Sequence, residues 1–443
     1  MRFFARRLAA ASLAIVVAAA LSITAGCGTK AASPQQGVIT LKVDIFGGAG
    51  FGYEDLYPEY EKAHPNIKIV ERGYGRNLSD LVLQLAAWFK SGTGAGDIVA
   101  LEEGTIVHAM GEQEHYQNLL DYGAGSMSND FIGWKWTQGM SPDGKRLLGL
   151  GTDVGGMAMC YRKDLFAKAG LPSDRESVGK LWTDWNSYIE IGRKFNAAGT
   201  GVSFVDSATN MFFTMLMQMA GSNTGHTFYD KSGKLVLADN PDIKNAWNMA
   251  VKMMDRKLSA RLITISDPWR DAFKKSRFAT VACPAWMTGL IREAAGESLT
   301  GKWDIARTPG NGGNWGGSFL AVPTQSKYPA EATKLAMFLT GAHGQIVAFQ
   351  KTGNLPSNLK ALDDPALTGA TNVYFSDAPT GKIFAAGAKS LKPLYLGPDN
   401  QAVRDEVENA LRNVEMGRDT PEAGWRKAVA AGTKADAKAK ATK

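Results

Sequence analysis

The sequence predicts an α/β protein that contains a parallel sheet of the doubly wound kind. Between residues 41 and 104, β-rich runs alternate with helical patterns in the order strand, helix, strand, helix, strand. This alternation is typical of parallel sheets with helices on both faces. A chain of 443 residues is too long for one ordinary core and long enough for two lobes of roughly 150 to 200 residues. Its 44% apolar and 21% charged residues indicate a globular protein.

The first predicted strand covers residues 41–46, and a run of glycines that begins at Gly47 follows it. The spacing of these glycines does not match a dinucleotide-binding motif. We therefore expect a loop at the carboxyl end of a strand, which is where open α/β sheets bind their ligands. This position makes Phe46 and Gly47 candidate ligand contacts. Helices are predicted at 54–64 and 78–89, with a strand at 67–70 between them.

Two carboxylates, Glu102 and Glu103, end the next predicted strand, which begins at Asp97. Adjacent residues on a strand point to opposite faces, so the pair is not expected to act together on one bond. One of the two is expected to accept hydrogen bonds from ligand hydroxyls, and the sequence leaves open which one. A solvated loop charge is the alternative interpretation.

A glycine-rich stretch at 311–323 surrounds Trp315 with four glycines and then becomes apolar. Glycine lets the backbone approach another group closely, and an indole between glycines can lie flat against a ligand. Residues 318–322 are predicted to form a buried strand that Pro323 ends. The alternative is an ordinary turn with a tryptophan in the core.

The remaining elements follow from periodicity and capping residues. Strands are predicted at 147–150, 155–161 and 278–282; helices at 183–195 with Thr183 as N-cap, 212–219, 241–254 with Asn240 as N-cap, 330–339, 403–414 ended by Gly417, and from Thr420 onward; and a low-complexity tail at 435–443.

The N-terminus has the pattern of a secretion signal. Arg2, Arg6 and Arg7 precede an apolar run that is shorter than a comfortable membrane span, and Cys27 ends the segment. The ending Thr-Ala-Gly-Cys resembles a bacterial lipobox, which implies that Cys27 carries lipid and becomes the mature N-terminus. Plain secretion with an incidental Cys27 is the alternative, and the route, Sec or twin-arginine, is left open.

The charge and histidine content exclude several functions. The net charge of +7 falls to +4 when the three arginines of the leader are removed, so a nucleic-acid-binding face is not supported. The five histidines form no cluster with ligand spacing, and no nucleophile, zinc-hydrolase or phosphate-loop motif occurs. We therefore expect no metal, no cofactor and no enzymatic activity.

Cys160 and Cys283 both lie in apolar, strand-like sequence. They are expected either to form one disulfide in an oxidising compartment or to be two small buried hydrophobic residues. The sequence leaves both possibilities open, because it does not give the distance between their Cα atoms.

Taken in order, these pieces resemble the family-1 extracellular solute-binding proteins of bacterial ABC importers, in the maltose-binding branch. The matching segments include the strand from Asp97, residues 149–153, 160–166 with Gly170, Trp182, 278–281 with Trp286, 316–323, 332–339 and 353–356. The lipobox-like Cys27 agrees with this resemblance, since Gram-positive members are tethered outside a single membrane.

The resemblance implies two doubly wound α/β lobes joined by a hinge of crossing strands, the type II periplasmic-binding-protein fold. Crossings are expected at 159–161 and 319–323, with a return near residue 378. The implied organisation is a signal peptide at 1–26, a tether at 27–37, an N-terminal lobe of 38–158 with 322–377, a C-terminal lobe of 159–321 with 378–432, and a flexible basic tail at 433–443.

The resemblance also implies that the cleft between the lobes binds a sugar and that the closed form delivers it to an ABC permease. Trp286 and Trp315 would be the stacking platforms, Gly316 and Gly317 would allow close backbone approach, and Asp153 would face the cleft from the hinge. Candidates chosen by their position at strand ends are Phe46, Gly47, Glu102, Glu103, Asn210 and Trp269.

Several tryptophans are expected in loops: Trp134, Trp136, Trp269, Trp286 and Trp315. They favour a cleft for two or more sugar rings, and hence a di- or oligosaccharide, with a β-glucoside such as cellobiose as the first choice. We expect a monomer on the outer face of the cell membrane, anchored through lipid at Cys27. The alternatives are a glycoside hydrolase, or the same fold binding a polyamine, a metal chelate or a phosphate ester.

Overall fold

The computed structural model describes residues 37–47, 50–75, 78–310, 312–390, 392, 394–397 and 399–441. The predicted leader, the lipidation site Cys27 and all of the tether except Gly37 lie outside the described residues. Among the residues that are described, no helix has both the length and the apolar character needed to cross a bilayer.

Eleven strands and eighteen α-helices are found in the described ranges. The strands are β1 (Ile39–Phe46), β2 (Ile67–Tyr74), β3 (Ile98–Glu102), β4 (Gly149–Gly151), β5 (Asp153–Val154), β6 (Met157–Arg162), β7 (Ser203–Val205), β8 (Phe278–Pro284), β9 (Trp303–Ala306), β10 (Ser318–Ala321) and β11 (Leu355–Pro356). The helices are α1 (Leu56–Ala63), α2 (Leu78–Ser91), α3 (Glu103–Ala109), α4 (Gly133–Gly139), α5 (Lys163–Lys168), α6 (Arg175–Leu181), α7 (Trp185–Ala197), α8 (Ala208–Ser222), α9 (Pro241–Asp255), α10 (Asp267–Lys274), α11 (Met287–Ala295), α12 (Pro329–Thr340), α13 (Ala342–Thr352), α14 (Leu359–Leu362), α15 (Pro365–Thr368), α16 (Thr380–Lys389), α17 (Asn400–Glu415) and α18 (Pro421–Ala441).

The first lobe is built on a five-stranded sheet in the order β2-β1-β3-β10-β4. Strands β2, β1 and β3 are parallel, and β10 runs antiparallel to both of its neighbours. Both faces are covered: Leu320 packs with α12 on one face, whereas Phe319 and Ala321 pack with α2 and α3 on the other. The alternation along β10 is the pattern of a strand buried on both sides.

The second lobe is built on a four-stranded sheet in the order β7-β8-β6-β9. Strands β7 and β8 are parallel, while β6 is antiparallel to β8 and β9. Met159 and Cys160 point to opposite faces of this sheet and enter two different hydrophobic clusters. The predicted α/β fold with two lobes, each with helices on both faces of a sheet, is confirmed.

The chain crosses between the two sheets at positions that differ from the expected ones. Residues 159–161 lie inside β6 and residues 319–321 inside β10, so the crossings occupy 152–156 and 307–317 instead. We call residues 152–156 and 312–317 the hinge. The third passage ends at residues 374–376, close to residue 378: the Tyr374 carbonyl accepts from the Gly301 amide at 2.9 Å and the Ser376 hydroxyl donates to the Trp303 carbonyl of β9 at 3.0 Å.

Two local expectations also differ from the structure. Asp184 rather than Thr183 caps α7, through a capping box with Ser187. The segment 433–441, which was expected to be a flexible tail, continues α18. Alanine and lysine are good helix formers, and the Tyr229 hydroxyl donates to Asp436 at 3.0 Å, which attaches the helix to the second lobe.

Cys160 and Cys283 form a disulfide with their Cα atoms 5.8 Å apart. Cys160 is paired with Val281 and Ala158 with Cys283, so the two cysteines are diagonal neighbours on one face of the sheet. The bond joins residues 123 positions apart in sequence and lies wholly within the second lobe.

We expect the double variant Cys160→Ala/Cys283→Ala to be about 2 to 5 kcal/mol less stable than the native chain, because the bond restricts a long loop of the unfolded chain. Denaturant unfolding of both proteins, with and without reductant, measures this difference. Reductant should lower the stability of the native protein and leave the variant unchanged. A native protein that is indifferent to reductant under unfolding conditions would contradict the prediction.

Candidate functional site

Glu102, the last residue of β3, and Glu103, the first of α3, make different hydrogen bonds. Glu102 is half-buried, and its Oε2 accepts a hydrogen bond from the Gly104 amide at 2.7 Å. Glu103 is buried, and its Oε1 accepts from Gln138 Nε2 at 3.0 Å and from Asn314 Nδ2 at 2.8 Å. Burial, followed by the charge of Glu103, raises the pKa of Glu102 to about 7. The Glu102 Oε1 accepts no hydrogen bond within the described residues, so Glu102 can offer this oxygen to a ligand.

Trp315 and Trp286 form an aromatic corner at the hinge. Their ring centroids are 5.9 Å apart at an angle of 76°, and the Trp286 Nε1 donates to the Trp315 carbonyl at 2.9 Å. Trp286 precedes α11 in the second lobe, whereas Trp315 lies on the crossing loop. Both rings are half-buried and so retain surface for another molecule. The two indoles hold each other in an edge-to-face arrangement that aromatic pairs favour.

Gly316 and Gly317 bring this corner close to charged groups. Both have positive φ values, 79° and 105°. A Cβ on Gly316 would lie 3.4 Å from Glu102 Oε1 and 3.7 Å from Trp286 Nε1, which places that carboxylate beside the aromatic corner. A Cβ on Gly317 would lie 2.6 Å from the Asp153 carbonyl, so only glycine fits there.

The Asp153 side chain makes hydrogen bonds within the hinge and is almost fully buried. Its Oδ1 accepts from the Thr152 hydroxyl at 2.6 Å and from the Ser318 amide at 2.8 Å, and the residue is 7% exposed. Asp153 was expected to face the cleft from the hinge, whereas its side chain is buried within the hinge. Its internal hydrogen bonds indicate that it fastens β5 to β10.

Lys135, on α4, is fully buried beneath the hinge, and its Nζ makes no hydrogen bond within the described residues. The Nζ lies 3.7 Å from the centroid of the Phe319 ring. Burial lowers the pKa of Lys135 to about 8, although the charges of Asp153, Glu103 and Glu102 act in the opposite direction. No sequence signal identified this residue, since a single lysine between two tryptophans is not a motif.

Of the other predicted contacts, Phe46 and Asn210 are partly exposed, whereas Trp269 is fully buried. Phe46 and Gly47 lie at the end of β1, and the half-buried Phe46 ring meets Phe51 edge-on at 5.3 Å. Asn210, on α8, is half-buried and donates to Asp206. Trp269 is corrected: it is fully buried in the core of the second lobe and donates to Asp206 at 2.9 Å, so it has no surface for a ligand.

A cavity of about 320 Å³ lies between the lobes, and of its lining residues only Trp134 was named from the sequence. A narrower gap beside it reaches Glu103, Asn314 and Met217. Trp134 and Gln138 line both spaces, and the Trp134 Nε1 and Gln138 Oε1 are buried without a hydrogen-bond partner in the described residues. The cavity walls come from both lobes: Val107, Met110, Trp134, Thr137, Gln138, Met140, Ser141 and Pro142 from the first, and Lys231, Leu394, Tyr395, Leu396 and Gly397 from the second.

The arrangement is suited to recognition of a polar molecule with flat apolar faces. Indole surfaces can cover such faces, while Glu102 and nearby amides can accept or donate hydrogen bonds. In the described part of the chain, no three His, Cys, Asp or Glu side chains are grouped so that they could hold a metal ion. The fold and site define a two-lobed α/β binding protein with a hinge.

Comparison with known proteins identifies the class. The sequence profile of the bacterial extracellular solute-binding proteins matches residues 55–374, and the chain belongs to this family. A crystal structure described as an extracellular solute-binding protein family 1 is 39% identical, with a TM-score of 0.83, and the match covers 90% of this chain and 99% of that one.

Two more distant structures share the fold. The ABC transporter associated binding protein from Bifidobacterium animalis subsp. lactis Bl-04, in complex with β-1,6-galactobiose, is 21% identical with a TM-score of 0.72 over 90% of this chain and 98% of that chain. The galacto-N-biose-/lacto-N-biose I-binding protein from Bifidobacterium longum, in complex with lacto-N-biose, is 18% identical with a TM-score of 0.73 over 91% and 99% of the two chains.

We expect the stability of the native protein to rise between pH 8 and 10.5 relative to Lys135→Met. The pKa of Lys135 is lowered to about 8 in the folded chain, so in this window the unfolded chain binds more protons and high pH favours folding. The relative gain should be roughly 3 kcal/mol across the window. Chemical unfolding of both proteins at pH 7, 9 and 10.5 measures it, and parallel pH profiles would contradict a buried, titrating Lys135.

Proposed function

We propose that the chain is the substrate-binding component of an ABC importer, which captures a di- or oligosaccharide between its lobes and delivers it to a membrane permease. The observation that carries this proposal is the aromatic corner of Trp286 and Trp315 beside Glu102. Sugars have flat C–H patches and a fringe of hydroxyls, which indoles and carboxylates respectively accommodate. Two structures of the same fold are complexes with disaccharides, which is consistent with this ligand class.

Among the residues predicted from sequence, we assign Trp286, Trp315, Gly316, Gly317 and Glu102 to the first contacts with sugar. Phe46, Gly47 and Asn210 are proposed as outer contacts, and Asp153 and Glu103 as supports for the backbone around them. Ionised Glu102 would accept from two sugar hydroxyls through its free oxygen. The first choice of ligand remains a β-glucoside such as cellobiose, bound by a monomer.

A glycoside hydrolase is the alternative that needs a separate test. Hydrolysis requires two carboxyl groups on either side of one bond. The hydrogen bonds from Gln138 and Asn314 to Glu103 Oε1 do not favour Glu102 and Glu103 as such a pair. Incubation of the protein with cello- and malto-oligosaccharides, followed by product analysis, would reveal any cleavage.

We expect a thermal-shift screen against cellobiose, maltose, β-1,6-galactobiose and lacto-N-biose to identify at least one ligand. A sugar at 100 times its Kd stabilises the folded protein by about 2.7 kcal/mol, which is a clear shift in Tm. A response only to amines, metal chelates or phosphate esters would replace the sugar with that class of solute.

With the sugar identified, we expect Trp315→Ala to weaken its binding by at least about 2 kcal/mol, or roughly 30-fold in Kd by calorimetry. Trp425→Ala is the matched control, because it removes an indole that packs on Trp247 and Lys244 in the second lobe. Equal affinities for the native protein and Trp315→Ala would refute the site.

The anchor is proposed at Cys27, so that the protein works on the outer face of the cell membrane. We expect Cys27→Ser to move the protein from the membrane fraction to the medium, because a lipid-modified cysteine is the only attachment proposed. Fractionation of cells that express each form measures this. Release of the native protein in equal amount would indicate plain secretion.

A further inference from the structure

Asp206 is a buried carboxylate between β7 and α8 that the core does not fully satisfy. The side chain is 0% exposed. Its Oδ2 accepts from Trp269 Nε1 at 2.9 Å and from Asn210 Nδ2 at 2.8 Å, whereas its Oδ1 has no hydrogen-bond partner within the described residues. A buried polar atom without a partner costs free energy of folding. Burial accordingly raises the pKa of Asp206 to about 7.

Glu415, a second buried carboxylate at the same end of α8, differs in this respect. Glu415 accepts from the Ser207, Thr209 and Ser259 hydroxyls and from the Ala208 amide, so both of its oxygens are satisfied. That set of hydrogen bonds holds the start of α8 in place. Asp206 instead interacts with two side chains, those of Trp269 and Asn210, in addition to the Ser207 backbone.

Asp206 determines how the amide of Asn210 is turned. The Oδ2 of Asp206 only accepts, so Asn210 must direct its NH₂ group toward it. The amide oxygen of Asn210 then points away from Asp206. This oxygen makes no hydrogen bond within the described part of the chain, and Asn210 is half-buried.

Asn210 lies on the same face of α8 as a residue that lines the gap between the lobes. Seven residues, or two helical turns, separate it from Met217, which lines the gap together with Glu103 and Asn314. On the same face, Arg404 lies over the Phe213 ring at 3.5 Å, and its charge acts on both Glu102 and Glu103.

We propose that Asp206 is a positioning residue for the ligand site. It holds Asn210 so that the Oδ1 of Asn210 faces the gap as a hydrogen-bond acceptor, and the site thereby selects a ligand with a hydroxyl donor at that point. This inference rests on the proposed sugar-binding function. Trp269, which cannot touch a ligand, acts behind Asp206 by fixing the orientation of its carboxylate.

A double-mutant cycle tests the inference. The Kd of the disaccharide found in the thermal-shift panel is measured by calorimetry for Asp206→Leu, Asn210→Leu and the double variant. Each single variant should bind about 10-fold more weakly, and the double variant should bind no more weakly than Asn210→Leu, because Asp206 acts only through Asn210. Asp206→Asn should bind nearly as well as the native protein, because its amide oxygen can replace Oδ2.

The matched control is Asn223→Leu. Asn223 donates to Asp242 at 2.7 Å and forms a similar Asn–Asp pair just beyond the last turn of α8, and neither residue lines the gap or the cavity. Its loss should leave Kd unchanged. Thermal unfolding of every variant separates a loss of stability from a loss of affinity. If Asp206→Leu does not fold, the smaller Asp206→Ala takes its place in the cycle.

The outcomes distinguish this inference from the proposed function. If the effects of Asp206→Leu and Asn210→Leu multiply in the double variant, or if Asn210→Leu binds normally while Trp315→Ala does not, the inference is overturned and the sugar site stands. If neither Asn210→Leu nor Trp315→Ala changes Kd, the site itself is misplaced and both fail. Slow exchange of the Asn210 side-chain NH₂ protons in the native protein, lost in Asp206→Leu or Asp206→Ala, would support the hydrogen bond directly.

Discussion

The two lobes are joined where backbone packs directly against backbone. The Trp315 amide donates to the Gly155 carbonyl at 2.9 Å, and the Gly155 amide donates to Asn314 Oδ1 at 2.8 Å. The carbonyl of Trp315 occupies the space where a Cβ at Gly155 would stand, so no other residue fits without moving one of the two crossing segments. This contact fixes the crossing loop 312–317 to the other crossing segment, residues 152–156. The position of Trp315 relative to Glu102, and hence the shape of the proposed site, depends on it.

Two buried ionisable side chains, Lys135 and Asp206, are not fully hydrogen-bonded. Lys135 and Asp206 are each fully buried and each retain an atom without a hydrogen-bond partner in the described residues. Such groups lower the free energy of unfolding, and apolar side chains of similar size would often be more stabilising. Lys135 lies beneath the hinge and Asp206 precedes α8, whereas Glu415 and its partners satisfy one another inside the second lobe. Lys135 and Asp206 are thus less completely paired than Glu415.

The sequence predicted the layers of the fold better than their junctions. Alternating apolar runs are sufficient for strands such as β1, β6 and β10, because burial on both faces leaves a periodic signal. The crossing segments consist largely of glycine and short polar residues, which have no periodicity, so the expected crossings were displaced into the neighbouring strands. Pairing of Cys160 with Cys283 depends on the register of β6 and β8, which is a tertiary property.

The candidate site was predicted only in part, because many of its contacts are also tertiary properties. Trp315 was identified because its glycine neighbours are unusual in sequence, and Trp286 because of the family resemblance. Trp269 was misassigned, since nothing in a short amphipathic helix tells whether an indole faces the core or a gap. Asp206 and Lys135 lie in no motif, and their partners come from elements distant in sequence. Contacts of this kind become visible only when the sheets are assembled.

Because Glu102 belongs to the first lobe and Trp286 to the second, a ligand that touches both must favour the arrangement in which they are close. The measured affinity is then the affinity of that arrangement reduced by the fraction of molecules that adopt it. Substitution of a proposed contact residue such as Trp315 would change the affinity of the competent arrangement, whereas substitution of a hinge residue such as Gly155 or Asp153 would change the fraction of molecules that adopt it. The affinity would therefore depend on two sets of residues, those that contact the ligand and those of the hinge. Replacing a hinge residue can change the affinity as much as replacing a contact residue.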